Sequence, residues 1–408
     1  MKSISQVSLS ALVVVATTLS AQARDEAKWR PAVDPKPLTE QVNKGLAWII
    51  EHQNGDGGWN QGEESRHMRS ASQTPSEPSN VGDTCISVLA LVRSGSTASS
   101  GDYAKAIRRG VDFVAGKVEA ADNDSLWVTD QRGTRLQSKL GNYIDTFMAS
   151  LMLAEVKDSM PDDAATTRVS NALAKVMRKI ETNQRDDGSF GGAGWANALS
   201  QSIAGKGYNR AVQSGMDGDD GVRRRLESNA ASKYDANSGQ FAATDAAGVD
   251  LYASASTLGS LQESDNSNQG AKEEIRKQAA SAPTAEGRTE AEKKLKDIEV
   301  NEKNLRDVRQ AVVAKMNDAG FTSGFGSNGG EEFLSYMNIG ESLVVNGGPE
   351  WESWNKNIMA NLNRIQNNDG SWTGHHCITG RNFCTAAALL VLMTDRAPVP
   401  MSASLSRR

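Results

Sequence analysis

Three related stretches recur along this chain: HQNGDGGW at residues 52–59, TNQRDDGSFGG at 182–192 and IQNNDGSW at 365–372. Each runs through a glutamine, a few polar residues, Asp-Gly, a small residue and an aromatic ring. Each also closes a segment of helical periodicity. Val42, Leu46, Ile49 and Ile50 share one face ahead of the first stretch, and Trp351, Trp354, Ile358, Leu362 and Ile365 share one ahead of the third. Asp-Gly supplies a tight turn in which glycine takes a positive φ. The aromatic ring is expected to fold back on the helix just ended. The glutamine amide is expected to bond orphan carbonyls at that helix end or backbone of the next repeat.

A second kind of helical segment accompanies these turns, rich in Ala, Ser and Leu and apolar nearly all round. It appears at 83–92, 145–156, 195–204, 246–261, 333–345 and 383–393. Such helices belong inside, packed or lining an enclosed space. Between them lie amphipathic, more charged segments at 39–53, 103–119, 166–184, roughly 219–233, 290–317 and 350–366. The turns at 235–241 and 318–325 keep only a glycine and an aromatic. Six alternating pairs predict an all-α fold, an (α/α)6 toroid with an inner and an outer ring of six helices each. Closure would set the last pair beside the first, whereas an open solenoid would leave an apolar end exposed.

The stretches QNGDGGW, QRDDGSF and QNNDGSW resemble the repeat of the prenyltransferase and squalene-cyclase (terpenoid cyclase) superfamily, in which a QW-type motif precedes an inner helix. The resemblance covers most of residues 39–395. It implies a toroid whose central cavity takes an apolar or amphipathic, isoprenoid-like ligand. The family's chemistry maps onto this chain only in part. Asp217-Gly218-Asp219-Asp220 matches the acid motif of class II cyclases by letters, but it precedes GVRRRLES, an outer-helix sequence whose first turn favours acidic residues through the dipole. Asp83-Thr84-Cys85 matches the first zinc ligands of protein prenyltransferases at an inner-helix start. Cys384 occupies the comparable slot where the family places a histidine. With the ring closed, Asp83, Cys85, Cys384 and His376 or Cys377 would offer S, N and O donors suited to zinc, the one cofactor these residues point to. The competing arrangement is a Cys377–Cys384 disulfide closing a short loop; Cys85 completes the three cysteines of the chain, so one thiol is left over. No Cys-Gly-Glu-Gln run is present, so the thioester chemistry seen on related toroids has no basis here.

Other polar residues fall near the expected mouth of the ring. Glu331 and Glu332 follow Gly329-Gly330 at the start of the fifth inner helix. They read as dipole-favoured helix-start acids that point different ways, or as the general acid and base of a carbohydrate-active toroid acting on polysaccharide, with His376 and Arg381 beside them. His375 reads as loop surface, and His52 as a helix-end cation.

The first residues, MKSISQVSLSALVVVATTLSAQAR, combine Lys2, a short apolar run and Ala21-Gln22-Ala23, the pattern of a cleaved signal peptide spanning residues 1–23. A linker at 24–38 leads to the toroid at 39–397, with a tail at 398–408. The mature chain is thus expected to be secreted, periplasmic or in the cell envelope, with no membrane span. A net charge of −5 over 408 residues excludes a basic nucleic-acid footprint. Residues 262–304 are charged and poor in apolar side chains up to Leu295. They read as an insertion with a flexible, partly helical start. That insertion and the loops at 60–80 and 120–143 are where a protein partner would dock if the toroid is a non-catalytic envelope or extracellular interaction scaffold.

Overall fold

Six of the helices in the computed structural model, which describes residues 28–65 and 78–401, form a closed inner ring, with each one packed against the next. The leader at 1–23, residues 66–77 of the 60–80 loop and residues 402–408 of the tail lie outside the described residues. In chain order the helices are α1 (Glu40–Glu51), α2 (Val81–Arg93), α3 (Ala104–Ala120), α4 (Arg135–Leu140), α5 (Ile144–Val156), α6 (Asp163–Asn183) and α7 (Asn197–Gln213). They continue with α8 (Asp220–Ala231), α9 (Asp250–Ser281), α10 (Ala285–Lys315), α11 (Ala319–Thr322), α12 (Gly330–Val344), α13 (Gly348–Ile365) and α14 (Arg381–Leu392). The inner ring runs α2, α5, α7, α9, α12, α14 and back to α2. Outside it lie α1, α3, α6, α8, α10 and α13, each packed on an inner helix. The fold is an all-α toroid, and it closes.

The repeated turn builds this ring by one device used three times. The glycine after Asp takes a positive φ at Gly57, Gly188 and Gly370. A Cβ there would lie 2.7 Å or less from a carbonyl oxygen of the following outer helix: Arg109 on α3, Arg225 on α8 and Lys44 on α1. Only glycine permits that approach. The glutamine side chain spans the same seam. The Nε2 of Gln53, Gln184 and Gln366 donates to its own turn, at Gly57, Gly188 and Gly370, and also to Ala106, Val222 and Gln41 of the next outer helix. The last of these bonds joins the sixth pair to the first. The indoles of Trp59 and Trp372 fold back and donate to Ile49 and Leu362 of the helix just ended, both at 2.8 Å. The chain ends reinforce closure, because Trp29–Pro31 (β1) pairs antiparallel with Pro398–Pro400 (β2).

Residues 262–304 depart from the expected flexible insertion. Helix α9 continues unbroken through this stretch to Ser281 and turns back as α10, so both are helices of about 46–48 Å at ~1.5 Å per residue. The alanine, glutamate, lysine and glutamine content of the stretch is favourable to helix despite its charge. Gln262 to Ser267 are buried rather than solvated, because this part of α9 still lies inside the ring.

Candidate functional site

All six inner helices start on the face that carries the repeated turns, so their first residues converge at one mouth. At the start of α12, Glu331 and Glu332 are both fully buried. Gly329 and Gly330 make room for this. The Gly330 N–H donates to Ile378 O at 3.0 Å, and a Cβ on Gly330 would collide with Ile378 and Phe383, so the 374–379 loop lies directly against the helix start. Glu331 accepts from Ile378 N at 3.2 Å through Oε2, while its Oε1 has no hydrogen-bond partner among the described residues. Glu332 Oε1 accepts from Phe325 N at 3.0 Å and from the Tyr252 hydroxyl; its Oε2 lies 3.5 Å from His376 Nε2. His376 Nε2 is also 3.0 Å from Ser327 O, and Nδ1 has no partner among the described residues.

The electrostatics follow from burial with no lysine or arginine paired to either carboxyl. Burial, and then the neighbouring Glu332, push Glu331 up to about 8. Burial also raises Glu332, with the His376 charge working partly against it. The Cys377 thiol, with Glu331 among its charged neighbours, is pushed up to about 12, first by burial. Rings wall the acid pair. Trp195 meets Tyr252 edge-on at 6.2 Å and Phe325 at 5.0 Å, and Phe325 meets His376 at 5.2 Å. Lys139 Nζ sits 5.8 Å from the Trp195 ring. Phe325 is 55% exposed and is the open edge of the cluster. Gly324, at φ 58°, brings the 323–326 turn over Glu332, where a Cβ would lie 2.4 Å from Oε1.

A second buried cluster crosses the ring axis deeper in, toward the helix C-termini. Arg93 donates to Glu341 at 2.7 Å and to Glu155 at 3.4 Å. Lys206 donates to Glu341 at 2.7 Å and to Asn338 at 3.1 Å. Arg210 donates to Glu155, and at 3.4 Å to both Glu263 and Glu341. Three cations and three carboxylates from α2, α5, α7, α9 and α12 thus neutralise one another, with side chains no more than 7% exposed. Burial alone would raise Glu341, but Lys206, Arg93 and Arg210 overcome it and hold the carboxyl well below the usual range. This corrects the expectation of an apolar lumen: the inner helices are apolar where they pack on each other and polar where they face the axis.

The zinc set does not assemble. Asp83 accepts from Asn80 Nδ2 at 2.7 Å, and the Cys384 thiol donates to Ile378 O at 3.4 Å. Cys85 is buried on α2, and His376 stands with Glu332. Among the described residues no three His, Cys, Asp or Glu side chains are placed to hold an ion together. Burial raises the Cys85 and Cys384 thiols well above the usual range. Nor are Cys377 and Cys384 joined: all three cysteines are free thiols, with that of Cys384 turned to the Ile378 carbonyl. Asp217, Asp219 and Asp220 are exposed, and Asp219 caps α8 by accepting from Gly221 N and Val222 N. Arg381 binds Asp369 and Ser371 at 2.6 Å, both within the last repeated turn. His375 is exposed, and His52 stacks on Trp48 at 3.7 Å.

Sequence reasoning missed Tyr252, Trp195 and Phe325 at the mouth and all six charges on the axis. For the latter a signal existed: AGKGYNR in α7 and IGES in α12 place charges inside segments too apolar to be outer helices.

Residues 31–135 match the family described as squalene-hopene cyclase C-terminal domain, in line with the resemblance carried by the repeats. No curated protein matches this chain. Among solved structures, one described as a novel alpha-amylase from Clostridium perfringens is similar at 8% identity and a TM-score of 0.45, covering 88% of this chain and 98% of that chain. No helix among the described residues is long and apolar enough to cross a membrane.

Proposed function

We propose that this protein is an exported acid–base enzyme that works at the mouth of its toroid. It would bind a hydroxyl-rich substrate such as a polysaccharide chain against Trp195, Tyr252 and Phe325, and protonate it from the Glu331/Glu332 pair. The carrying observation is two adjacent, fully buried carboxyl groups with no lysine or arginine in contact, one of them pushed up to about 8. A carboxylic acid that keeps its proton at neutral pH is what general-acid cleavage of an oxygen leaving group requires. The two groups titrate as a pair, so the proton belongs to the dyad. Tyr252 and the Phe325 N–H orient Glu332; water adds to the carbon as its bond to the protonated oxygen breaks, and His376, 3.5 Å from Glu332, takes the proton water loses and returns it to the dyad. The 323–326 turn must move for substrate to reach the acid, and the exposed Phe325 marks that entry. The leader-like residues 1–23 support a working site outside the cytoplasm. The ionic layer on the axis counts against an isoprenoid-like ligand occupying the centre.

The test is reducing-end release from a panel of neutral and acidic polysaccharides by the mature chain and by Glu332→Gln. Turnover of one substrate, falling roughly 10²–10⁴-fold in the variant, is the expected result. Wild-type protein inert on the whole panel, or an unimpaired variant, would discard the proposal.

One observation favours the scaffold reading instead. The α9–α10 hairpin carries a largely exposed, charged surface from residue 270 to 297, which suits protein docking. Loss of a captured partner on shortening this hairpin, with no polysaccharide turnover, would favour that reading.

A further inference from the structure

We infer that the toroid carries a second site, a lateral pocket between α7, α8 and α9 that takes a small neutral polyhydroxylated molecule of monosaccharide or disaccharide size. The pocket has a volume of about 330 Å³. Its origin is a local failure of the repeat to fill space. Helix α8 has 12 residues, and the apolar face it turns inward is only Val222, Leu226 and Ala230. The inner-helix surfaces opposite carry Ser202, Gly205, Ser256 and Ser260, too small to close the gap. A Cβ built on Gly205 would meet nothing nearer than Ser260 Oγ at 4.0 Å.

The wall has the chemistry of a hydroxyl receptor. Gln201 spends its Oε1 on Phe190 N at 3.3 Å, which leaves its Nε2 donor buried with no partner among the described residues. Ser256 is 5% exposed, and its hydroxyl likewise has no partner there. Both line the pocket. A buried donor and a buried hydroxyl left open are costly unless something accepts from them, and a sugar hydroxyl does. Phe190 and Leu226 add an apolar patch suited to the C–H face of a pyranose. The charged residues at the entrance come in both signs: Lys233 pairs with Asp245 at 2.9 Å, and Arg185 stands near Asp187. Such an entrance favours a neutral ligand over an anion. None of the hydrogen-bond partners of Glu331 or Glu332 lines this pocket, so the two sites are separable.

Saturation-transfer NMR on the mature chain with glucose, N-acetylglucosamine, maltose, cellobiose and glucose 6-phosphate tests the inference. At least one sugar is expected to bind at millimolar concentration. Affinity should fall tenfold or more in Ser256→Leu, which fills the pocket, and in Gln201→Leu, which removes the donor without adding bulk. Glu332→Gln should bind as the wild type does. Absence of binding to folded wild type overturns the site, and so does binding only to glucose 6-phosphate. Binding that survives both pocket variants would assign the sugar to another place, such as the aromatic mouth, and overturn it as well. Circular dichroism of each variant confirms that any loss is local.

Discussion

Glu331 and Glu341 lie on the same helix, both buried, and their carboxyl groups are driven in opposite directions. They are separated by roughly 15 Å along α12 at ~1.5 Å per residue. Glu331 faces the mouth beside another acid, and its carboxyl is pushed up to about 8. Glu341 faces the axis amid Lys206, Arg93 and Arg210 and is held well below the usual range. Burial is common to both. What differs is whether the neighbouring inner helices bring a cation to the same depth. The ring therefore separates two tasks: one end stores a proton, and the other crosslinks five inner helices with fixed charge.

The strongest way to break this contrast is to strip the deep layer of one partner. Arg210→Met leaves Glu263 without its cation and Glu155 with Arg93 alone, in a site that water does not reach. We expect a loss of about 3–5 kcal/mol in urea unfolding at pH 7. The mouth should respond in the opposite sense, because Glu331→Gln removes an acid that destabilises the fold when ionised. Near pH 8 and above, that variant should be more stable than wild type, by about 1 kcal/mol or more. A neutral effect of Arg210→Met would mean that the layer is dispensable packing, and the contrast between the two ends would collapse.

The pH profile sharpens the same comparison. Glu331 is raised in the folded state, so between about 4.5 and 8 the folded chain holds a proton that the unfolded chain has released; its contribution to stability falls through that window. Glu341 is depressed, so its contribution is complete above about 4.5 and is lost as pH falls further. Unfolding free energy should decline as pH rises from about 4.5 to 8 in wild type, and less steeply in Glu331→Gln, where Glu332 and Glu227 remain raised by burial. The acid-side loss should persist in Glu331→Gln. An unchanged limb would show that Glu331 has no share in the proton held by the dyad.

The ring was legible in the sequence because it is built from local rules repeated at intervals. Gln53, Gly57 and Trp59 state in seven residues the contacts that Gln366, Gly370 and Trp372 state again, and even the closing bond from Gln366 to Gln41 is the internal seam used once more. The mouth was less legible. Glu331 and Glu332, as neighbours on one helix, read as pointing apart. What gathers them is the 374–379 loop pressed onto Gly330 and the 323–326 turn over Glu332, contacts between segments whose sequences carry no mark of meeting. The zinc set failed for a related reason. Asp83, Cys85 and Cys384 occupy the right registers, but register fixes depth along the ring and not the direction of a thiol, and that of Cys384 turns to a carbonyl.

The smallest expected effect separates buried from exposed ion pairs of similar form. Arg168 on α6 binds Glu119 with two bonds, at 2.7 and 2.9 Å, and Asp112 at 2.7 Å, yet its side chain is 40% exposed. On paper this cluster looks as complete as that around Arg210. In water the same bonds replace solvation nearly one for one, and salt screens them over about 8–10 Å. Arg168→Ala should therefore cost no more than ~1 kcal/mol. That cost should shrink between low salt and 0.5 M NaCl, checked by urea unfolding at both, while the cost of Arg210→Met should hardly move. If Arg168→Ala matched Arg210→Met, the deep layer would owe its strength to the number of its bonds, and enclosure by the inner helices would not be what distinguishes it.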